Sequence, residues 1–365
     1  MSYADLCDHL DALEGDGRRH VVALPDGSVD HRYALSGAGG VRVERADEFR
    51  SQLAAGSRAF SLEPVDVRPG GQAVNAARQV HALGDSATLV GHLDHPVLAE
   101  FPFETRSMGP PATVRVVMLD EDDLLFSEPG AAETWELADL RAVVDWDRIL
   151  DADALCCANW VSVRGLTAVF DRFRSAPPDE SLTIVLDPGP IDAVDPSALE
   201  DLFDVLSRTD GASESIEIVL SVNPTELEAA VAATDVSGRA SDRVSDASGV
   251  TSDGTRDRNR ALGRAVALRS AIGISGVISH GTAVAAGATR NGTTVVNMLE
   301  VGETKHTTGA GDRFSAGVAC ALAREWSLET ALALGNACAA HFVGTGETAG
   351  PAAVRSILER SERDR

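Results

Sequence analysis

The chain has 365 residues, 44% of them hydrophobic, and a net charge of −24. This length suits one large α/β domain or two smaller ones, and the apolar content excludes a disordered chain. The acidic excess opposes binding to nucleic acid and anionic membranes, and no apolar run reaches the roughly 20 residues of a membrane span.

Arginine supplies nearly all of the positive charge, because Lys305 is the only lysine. A strongly acidic surface of this kind stays hydrated in high salt, where its self-repulsion is screened. The composition therefore predicts a protein adapted to high salt, as in a halophilic archaeon. Residues 1–19 are acidic and broken by charges, which is not typical of a signal peptide, so we expect a cytoplasmic protein.

The first part of the chain alternates extended and helical patterns. Residues 20–35 predict a strand, a Pro-Asp-Gly turn and a second extended segment. Helical spacing follows over 46–60 and 70–84, and residues 86–93 predict a buried strand. Residues 112–130 predict two strands joined by an acidic tip at 120–123.

A second series of strands and helices begins near residue 153. The predicted strands are 153–160, 182–190, 216–222 and 276–281, and the predicted helices are 165–176, 197–207, 224–233, 261–273, 311–326 and 331–344. Such alternation is typical of βαβ units with a parallel sheet between helices. Residues 235–260 are rich in Ser, Asp, Arg and Gly, which predicts a mobile surface insertion. Because the pattern resumes afterwards, we expect one domain over residues 1–365.

The stretch TTGAGDRFSAG, residues 307–317, precedes a predicted helix. Its glycines let backbone N–H groups point inward, and a helix N-terminus adds partial positive charge. Together they can form an anion site suited to a phosphoryl group. Asp312 is then either an ordinary carboxylate in the first turn or a base that accepts a proton from an attacking hydroxyl. The stretch lacks the Gly-Lys-Ser/Thr ending of a Walker A loop.

Three motifs in order resemble the ribokinase and phosphofructokinase B family of carbohydrate kinases. GGQAVNAARQVHALG, residues 70–84, is similar to the N-terminal signature, with paired glycines, a helical Asn and a closing LG. NPTE, residues 223–226, is similar to the middle Asn-x-x-Glu element, and TTGAGDRFSAG to the C-terminal signature. The resemblance spans about residues 20–355.

The resemblance implies a ribokinase-like fold, in which a doubly wound, mostly parallel sheet carries a small β lid. The lid is expected from residues 28–40 and 111–129. By the same likeness Asp312 is the general base for transfer of the ATP γ-phosphate to a sugar hydroxyl, with Mg²⁺ as cofactor. The backbone amides of Gly309, Ala310 and Gly311 are expected to form the anion hole.

The resemblance also assigns binding residues. Asn223 and Glu226 are expected to organise Mg²⁺ through water, in keeping with this ion's tendency to retain its waters. Asn223 is equally an expected helix cap, and both roles can hold together. Acceptor binding is expected from Asp30, Gly70, Gly71, Asn75, Thr113 and Arg115, and nucleotide binding from Asn223, Glu226, His280, Gly281, Thr308 and Asn336.

Several alternatives stay open. The acceptor is a sugar, an already phosphorylated sugar such as ribose 1-phosphate or a fructose phosphate, or a nucleoside. A phosphorylated acceptor would need arginines at its pocket, and Arg32, Arg68 and Arg115 are the candidates. A non-catalytic sugar- or nucleotide-binding regulator is the rival of another class, and the intact Asp312 argues against it.

The cofactors leave further choices. The long segment before the paired glycines is similar to that of ADP-dependent sugar kinases, although TTGAGD favours ATP as donor. The family often has an acid that helps to bind a monovalent cation where this chain has His306, so a cation site of the usual form is in question. A homodimer formed through the lid is a further arrangement that the resemblance suggests.

Overall fold

A computed structural model describes residues 2–15, 17–120, 123–234, 253–302 and 304–363, and these form two β-sheets and twelve α-helices. The strands are β1 (His20–Leu24), β2 (Ser28–Ser36), β3 (Arg42–Val43), β4 (Ser61–Gly70), β5 (Ser86–Gly91), β6 (Glu104–Ser107), β7 (Ala112–Val117), β8 (Leu124–Glu128), β9 (Ala154–Ala158), β10 (Leu182–Asp187), β11 (Ile216–Val222), β12 (Gly276–His280), β13 (Val284–Thr289) and β14 (Gly292–Asn297). The helices are α1 (Ser2–Glu14), α2 (Ala46–Ala54), α3 (Gln72–Ala82), α4 (Leu137–Val143), α5 (Trp146–Leu150), α6 (Leu166–Ser175), α7 (Pro196–Asp210), α8 (Pro224–Ala233), α9 (Asp253–Ile272), α10 (Ala310–Leu322), α11 (Leu328–Thr345) and α12 (Pro351–Arg363). Among these helices, none is long and apolar enough to cross a bilayer.

The larger sheet has nine strands in the order β14-β13-β12-β11-β10-β9-β1-β5-β6. Pairing is parallel from β12 to β6, and only the β13–β14 hairpin adds antiparallel pairs. Strand β1 lies between β5 and β9, so the chain first winds to one side of β1 and then to the other. This doubly wound arrangement confirms the predicted fold class.

Helices cover both faces of the larger sheet, and its strands are apolar on both. In β1, Val21 and Ala23 pack with α1, α3, α10, α11 and α12, whereas Val22 and Leu24 pack with the helices α4 to α9. Alternate residues of a strand point to opposite faces. A strand buried on both faces therefore reads as a continuous apolar run, which is how the sequence predicted these strands.

The second sheet has the order β3-β2-β7-β8, and β4 pairs with the other edge of β2. It contains residues 28–36, 112–117 and 124–128 of the two segments expected to form a lid. Its core is small: among the described residues, its cluster of buried side chains consists of Leu35, Val43 and Val117. The ten-residue strand β4 was not predicted, because polar and apolar residues do not alternate regularly along it. A register shift between Arg32 and Tyr33 accounts for part of that irregularity.

The predicted insertion at 235–260 needs one correction. Residues 235–252 lie outside the described residues, but 253–260 form the first two turns of α9. Polar composition misled the prediction there, because a helix on the surface of the protein can begin with polar residues before its apolar face appears.

A buried ion pair fastens the end of α10 to the start of β5. The Arg324 guanidinium donates to both carboxylate oxygens of Asp85 at 2.7 and 2.5 Å, and both side chains are almost completely buried. Asp85 also accepts the Arg19 backbone N–H at 2.9 Å. Removing the guanidinium would leave a buried carboxylate without its main partner.

We therefore predict that Arg324→Met lowers the free energy of unfolding by about 3 kcal/mol or more. Arg355→Met is the matched control, because Arg355 pairs with the exposed Asp11 and should cost less than about 0.5 kcal/mol. Urea unfolding in molar KCl measures both. Equal losses in the two variants would contradict the assignment.

Candidate active site

Polar residues stand at the carboxyl ends of five neighbouring strands of the larger sheet. Asp26 follows β1, Asn159 follows β9, Asp187 ends β10, Asn223 follows β11 and His280 ends β12. Carboxyl ends of parallel strands meet at one edge, and ligands of open α/β sheets bind there at the point where the winding reverses. That point is the junction of β1 and β9, where the Asn159 amide donates to Asp26 Oδ2 at 3.0 Å.

Asp26 caps helix α3. Its two carboxylate oxygens accept the backbone N–H groups of Gln72 at 3.1 Å and Ala73 at 2.7 Å. The N-cap itself is Gly71, which offers no side chain, so a distant carboxylate takes over the role. Burial raises the pKa of Asp26, while the Ala73 N–H opposes that rise.

The paired glycines let α3 approach β2 and its preceding turn. A Cβ on Gly71 would lie 2.9 Å from Gly27 Cα, and the φ of Gly71 is +106°. A Cβ on Gly70 would lie 2.2 Å from the carboxylate of Asp30. Both positions therefore require glycine, and Asp30 is placed directly against the start of α3.

Asp312 is held by two amide groups of α3. Asn75 Nδ2 donates to its Oδ2 at 2.8 Å, and Gln72 Nε2 donates to its Oδ1 at 3.1 Å. Gln72 Nε2 also donates to Asp187 Oδ1 at 3.1 Å, so one amide links two buried carboxyl groups. Burial and the nearby charge of Asp312 raise the pKa of Asp187 well above its ordinary value. Asp187 therefore binds a proton more readily than an exposed aspartate.

The N-terminus of α10 is open to a ligand. Gly309 is the N-cap in the left-handed region at φ +88°, and no side chain caps the helix. The Ala310 N–H donates to Thr307 O at 3.1 Å, so this amide is already engaged, unlike in the predicted anion hole. The following amides, of Gly311 and Asp312, have no acceptor within the helix. A Cβ on Gly311 would lie 3.0 Å from the His280 ring.

Asn223 and Glu226 form a capping box at the start of α8. Asn223 Oδ1 accepts the Glu226 N–H at 2.9 Å, and Glu226 Oε2 accepts the Asn223 N–H at 2.8 Å. Burial, together with the charges of Asp192 and Asp312, raises the pKa of Glu226 to about 7. The hydrogen bond from the Asn223 N–H to the Glu226 carboxylate opposes this rise in the pKa. The predicted capping role of Asn223 is confirmed, and the carboxylate it positions lies in an acidic neighbourhood.

An open cleft of about 1570 Å³ adjoins the N-terminus of α10. Of the residues predicted for the nucleotide, Asn223, His280 and Gly281 line it, together with Gly311. Burial lowers the pKa of His280 to about 4, so its ring is neutral near pH 7.

Three other predicted nucleotide residues, Glu226, Thr308 and Asn336, do not line this cleft. Asn336 is completely buried and donates to the Tyr3 hydroxyl at 3.1 Å, which places it behind the wall that Tyr3 and Asn297 form. Thr308 is exposed just before Gly309, and its neighbour Thr307 lines the cleft.

The acceptor residues predicted on β7 do not join Asp30. Residues in register on neighbouring strands share a face, and Thr113 pairs with Val29 while Asp30 pairs with Val114. Thr113 and Arg115 therefore face away from Asp30, and Arg115 pairs with Glu128 in solvent. The sequence could not anticipate this, because the register between β2 and β7 decides which face each residue takes.

Two arginines of β2 and β4 lie on the same face of the sheet as Asp30. In the same sheet Asp30 pairs with Arg68, and Arg32 with Asp66. Arg32 and Arg68 both form ion pairs with Asp66, at 3.4 and 2.7 Å.

His306 packs its ring against Gly346, where a Cβ would lie 2.5 Å from His306 Cδ2. Burial lowers the pKa of His306, and the charges of Arg32 and Arg68 lower it further. His306, which stands where the family often has an acid, is therefore in a basic environment.

Five residues of this network were not predicted as site residues. They are Asp26, Gln72, Asn159, Asp187 and Arg313. The position of Asp26, Asn159 and Asp187 at the carboxyl ends of strands was the available signal. Gln72 directly follows the paired glycines, and Arg313 directly follows Asp312, so motif position alone could have marked them.

Comparison with known proteins shows the family of the chain. The family model of the prokaryotic ketohexokinases matches residues 42–361. The chain belongs to the prokaryotic ketohexokinase family. It is thus a carbohydrate kinase, a phosphotransferase with an alcohol group as acceptor. The predicted enzyme class is confirmed.

Individual relatives extend the comparison. A ketohexokinase from Haloferax volcanii is 27% identical over 328 residues, covering 84% of this chain and 80% of its own, and the halophilic composition fits this relative. Ribokinase from Thermotoga maritima superposes with a TM-score of 0.62 at 17% identity, covering 93% of this chain and 98% of its own. A Burkholderia thailandensis nucleoside kinase in complex with inosine has a TM-score of 0.60 at 15% identity, with coverages of 94% and 96%. The two structures establish the ribokinase-like fold.

The raised pKa of Glu226 predicts a pH-dependent effect of Glu226→Gln. Because its pKa is about 7 in the folded protein and 4.5 in an exposed chain, ionisation destabilises the fold as the pH rises from 4.5 through 7. Glutamine stays neutral and can keep the capping bond. We expect the variant to be more stable than the wild type by about 1–3 kcal/mol at pH 8 and equal at pH 5.

Thermal unfolding in molar KCl without divalent ions measures this difference. Glu228→Gln is the control, because Glu228 is exposed on the same helix and pairs with Arg264. If the stability difference between Glu226→Gln and the wild type is no larger at pH 8 than at pH 5, the assigned cause is contradicted.

Proposed function

We propose that the protein transfers the γ-phosphoryl group of ATP to a hydroxyl of a ketohexose such as fructose. The observation that carries this proposal is the position of Asp312, anchored by Gln72 and Asn75 in the first turn of an uncapped helix. Membership of the prokaryotic ketohexokinase family supports the choice of sugar.

Asp312 acts as the general base in this proposal. Hydrogen bonds from Gln72 and Asn75 hold the carboxylate in one orientation. The base takes the proton of the sugar hydroxyl as the oxygen attacks the γ-phosphorus in line with the departing ADP.

The α10 N-terminus stabilises the charge that develops on the transferred group. The amides of Gly311 and Asp312 provide donors, and the helix dipole adds partial positive charge. Gly311 allows close approach because it carries no side chain, and His280 fills the space behind it.

The donor set near Glu226 fits Mg²⁺. Burial raises the pKa values of Asp187 and Glu226, and the nearby charge of Asp312 raises both further. A divalent cation with its waters would relieve this repulsion, and Glu226 is the carboxylate placed to hold it through water. When bound, Mg²⁺ neutralises charge on the phosphates.

The sugar lies between α3 and the second sheet in this proposal. Asp30 and Asn75 offer an acceptor and a donor for hydroxyl groups, and Gly70 and Gly71 permit close approach. Burial raises the pKa of Asp30, and the nearby charge of Asp312 raises it further.

A phosphorylated sugar is the second candidate acceptor, because Arg32 and Arg68 lie on the face of Asp30. Their shared ion pairs with Asp66 already balance part of that charge, which favours the neutral sugar. A screen in molar KCl should cross ATP and ADP with fructose, fructose phosphates, ribose and nucleosides. We expect turnover chiefly with ATP and fructose, and turnover chiefly with a phosphorylated sugar or with ADP would replace this assignment.

We predict that Asp312→Asn lowers kcat by at least about 100-fold while nucleotide affinity changes little, because only proton acceptance is lost. Coupled-enzyme assays measure kcat, and calorimetry measures nucleotide binding. Asp171→Asn is the matched control, since Asp171 is exposed on α6 and pairs with Arg174. Near-normal turnover of Asp312→Asn would eliminate the base assignment. Wild-type protein that binds a sugar or nucleotide and turns over neither would favour the regulator.

We further propose a homodimer formed through the second sheet. Among the described residues, the exposed large apolar side chains are all on this sheet or beside it: Val41, Leu53, Leu62, Val65, Val67, Leu125 and Phe126. Clustered apolar exposure on an otherwise highly acidic protein is typical of a contact surface. A second copy of the chain presents the same sheet, so the surface can pair with itself.

We predict that Val65→Asp with Phe126→Asp converts the dimer to a monomer, because each places a charge in the apolar contact. Light scattering after size-exclusion chromatography in molar KCl determines the mass. Ala271→Asp, on the exposed side of α9, is the control and should leave the mass unchanged. A monomeric wild type at micromolar concentration would contradict the proposal.

A further inference from the structure

Arg313 is a buried cation next to the proposed base. Its side chain is 4% exposed, and its guanidinium carbon lies 3.6 Å from the centroid of the Phe342 ring. Burial lowers its pKa to about 10, so it keeps its charge at pH 7. A buried guanidinium must place its donors on acceptors, because an unsatisfied charge in the interior is costly.

Its acceptors are two atoms of the site. Nη1 donates to Gly309 O at 2.7 Å, and Nη2 donates to Asn75 Oδ1 at 3.3 Å. Gly309 has to be glycine for this approach, since a Cβ would lie 2.8 Å from Nη1. Arg313 therefore joins the N-cap carbonyl of α10 to the polar side chain of α3.

The two ends of the Asn75 amide connect Arg313 to Asp312. A guanidinium has donors and no acceptor, so the end of the Asn75 amide that faces it must be the oxygen. The other end is then the NH₂ group, which donates to Asp312 Oδ2 at 2.8 Å. An aspartate accepts this bond best when it is ionised.

We propose that Arg313 is a positioning residue that orients Asn75, and through it the carboxylate of Asp312, for proton acceptance. This inference rests on the proposed function for its effect on turnover, and the contacts among Arg313, Asn75 and Asp312 carry it. The guanidinium does not touch substrate in this role. It holds the Gly309 carbonyl and the Asn75 amide in one arrangement, so that the glycine loop and the base keep a common geometry.

Arg313→Met tests the role, because methionine fills the space of the side chain and has no donors. We expect kcat to fall about 10- to 100-fold, because a small misplacement of a catalytic group slows the reaction, with KM for the nucleotide changed less than threefold. Arg313→Lys should recover part of kcat, since an ammonium can donate to one of the two acceptors. Arg324→Met is the stability-matched control, because it also removes a buried guanidinium but lies at the far end of α10.

A double-mutant cycle with Asn75→Ala isolates the pathway. If Arg313 acts through Asn75, the double variant should be no slower than Asn75→Ala alone. Fully additive losses in ln kcat, or a kcat of Arg313→Met within twofold of wild type, would overturn the proposal.

A measurement without substrate separates this inference from the proposed function. We expect the side-chain amide protons of Asn75 to be slow in hydrogen exchange in the wild type by NMR, and to lose this protection in Arg313→Met but not in Arg324→Met. Unchanged protection in Arg313→Met would refute the orienting role even if the wild type is an active kinase. Lost protection in a protein with no sugar kinase activity would instead refute the proposed function. The orienting contacts from Arg313 through Asn75 to Asp312 would then still stand.

Discussion

Four carboxyl groups buried at one edge of a parallel sheet are the constraint that shapes this protein. Asp26, Asp187, Glu226 and Asp312 are all buried, and the pKa values of the first three are raised. Such crowding is unfavourable unless donors satisfy the oxygens or a cation neutralises them. The rest of the site can be understood as the set of donors that makes this arrangement stable.

Helix α3 supplies most of those donors. Its first two amides bind Asp26, its Gln72 side chain joins Asp187 to Asp312, and Asn75 holds the second oxygen of Asp312. The glycines before the helix let it reach this position. One short motif thus connects the ends of β1 and β10 to the N-terminus of α10, which is why its spacing is restrictive.

The acidic interior of the site and the acidic surface have different physical origins. The surface charge is screened by salt and needs no partner. The buried carboxyl groups are shielded from salt and are ordered by amides, by Ser315 at Asp187, and by the guanidinium of Arg313 acting through Asn75. We therefore expect salt to influence overall stability more than the internal geometry of the site.

The sequence by itself determined most strands of the larger sheet, most of the helices, and the three motifs, because apolar periodicity and glycine spacing are local properties of the chain. It also marked Asp312 as a candidate base and predicted the helix cap at Asn223, since each lies within its own motif. Only the tertiary structure decided which residues meet. The register of β2 with β7 turned Thr113 and Arg115 away from Asp30, packing buried Asn336 behind the cleft, and the ends of distant strands brought Asp26 and Asp187 to the site. The physical reason is that facing, burial and hydrogen-bond partners depend on residues far apart in the chain, whose positions no local pattern specifies.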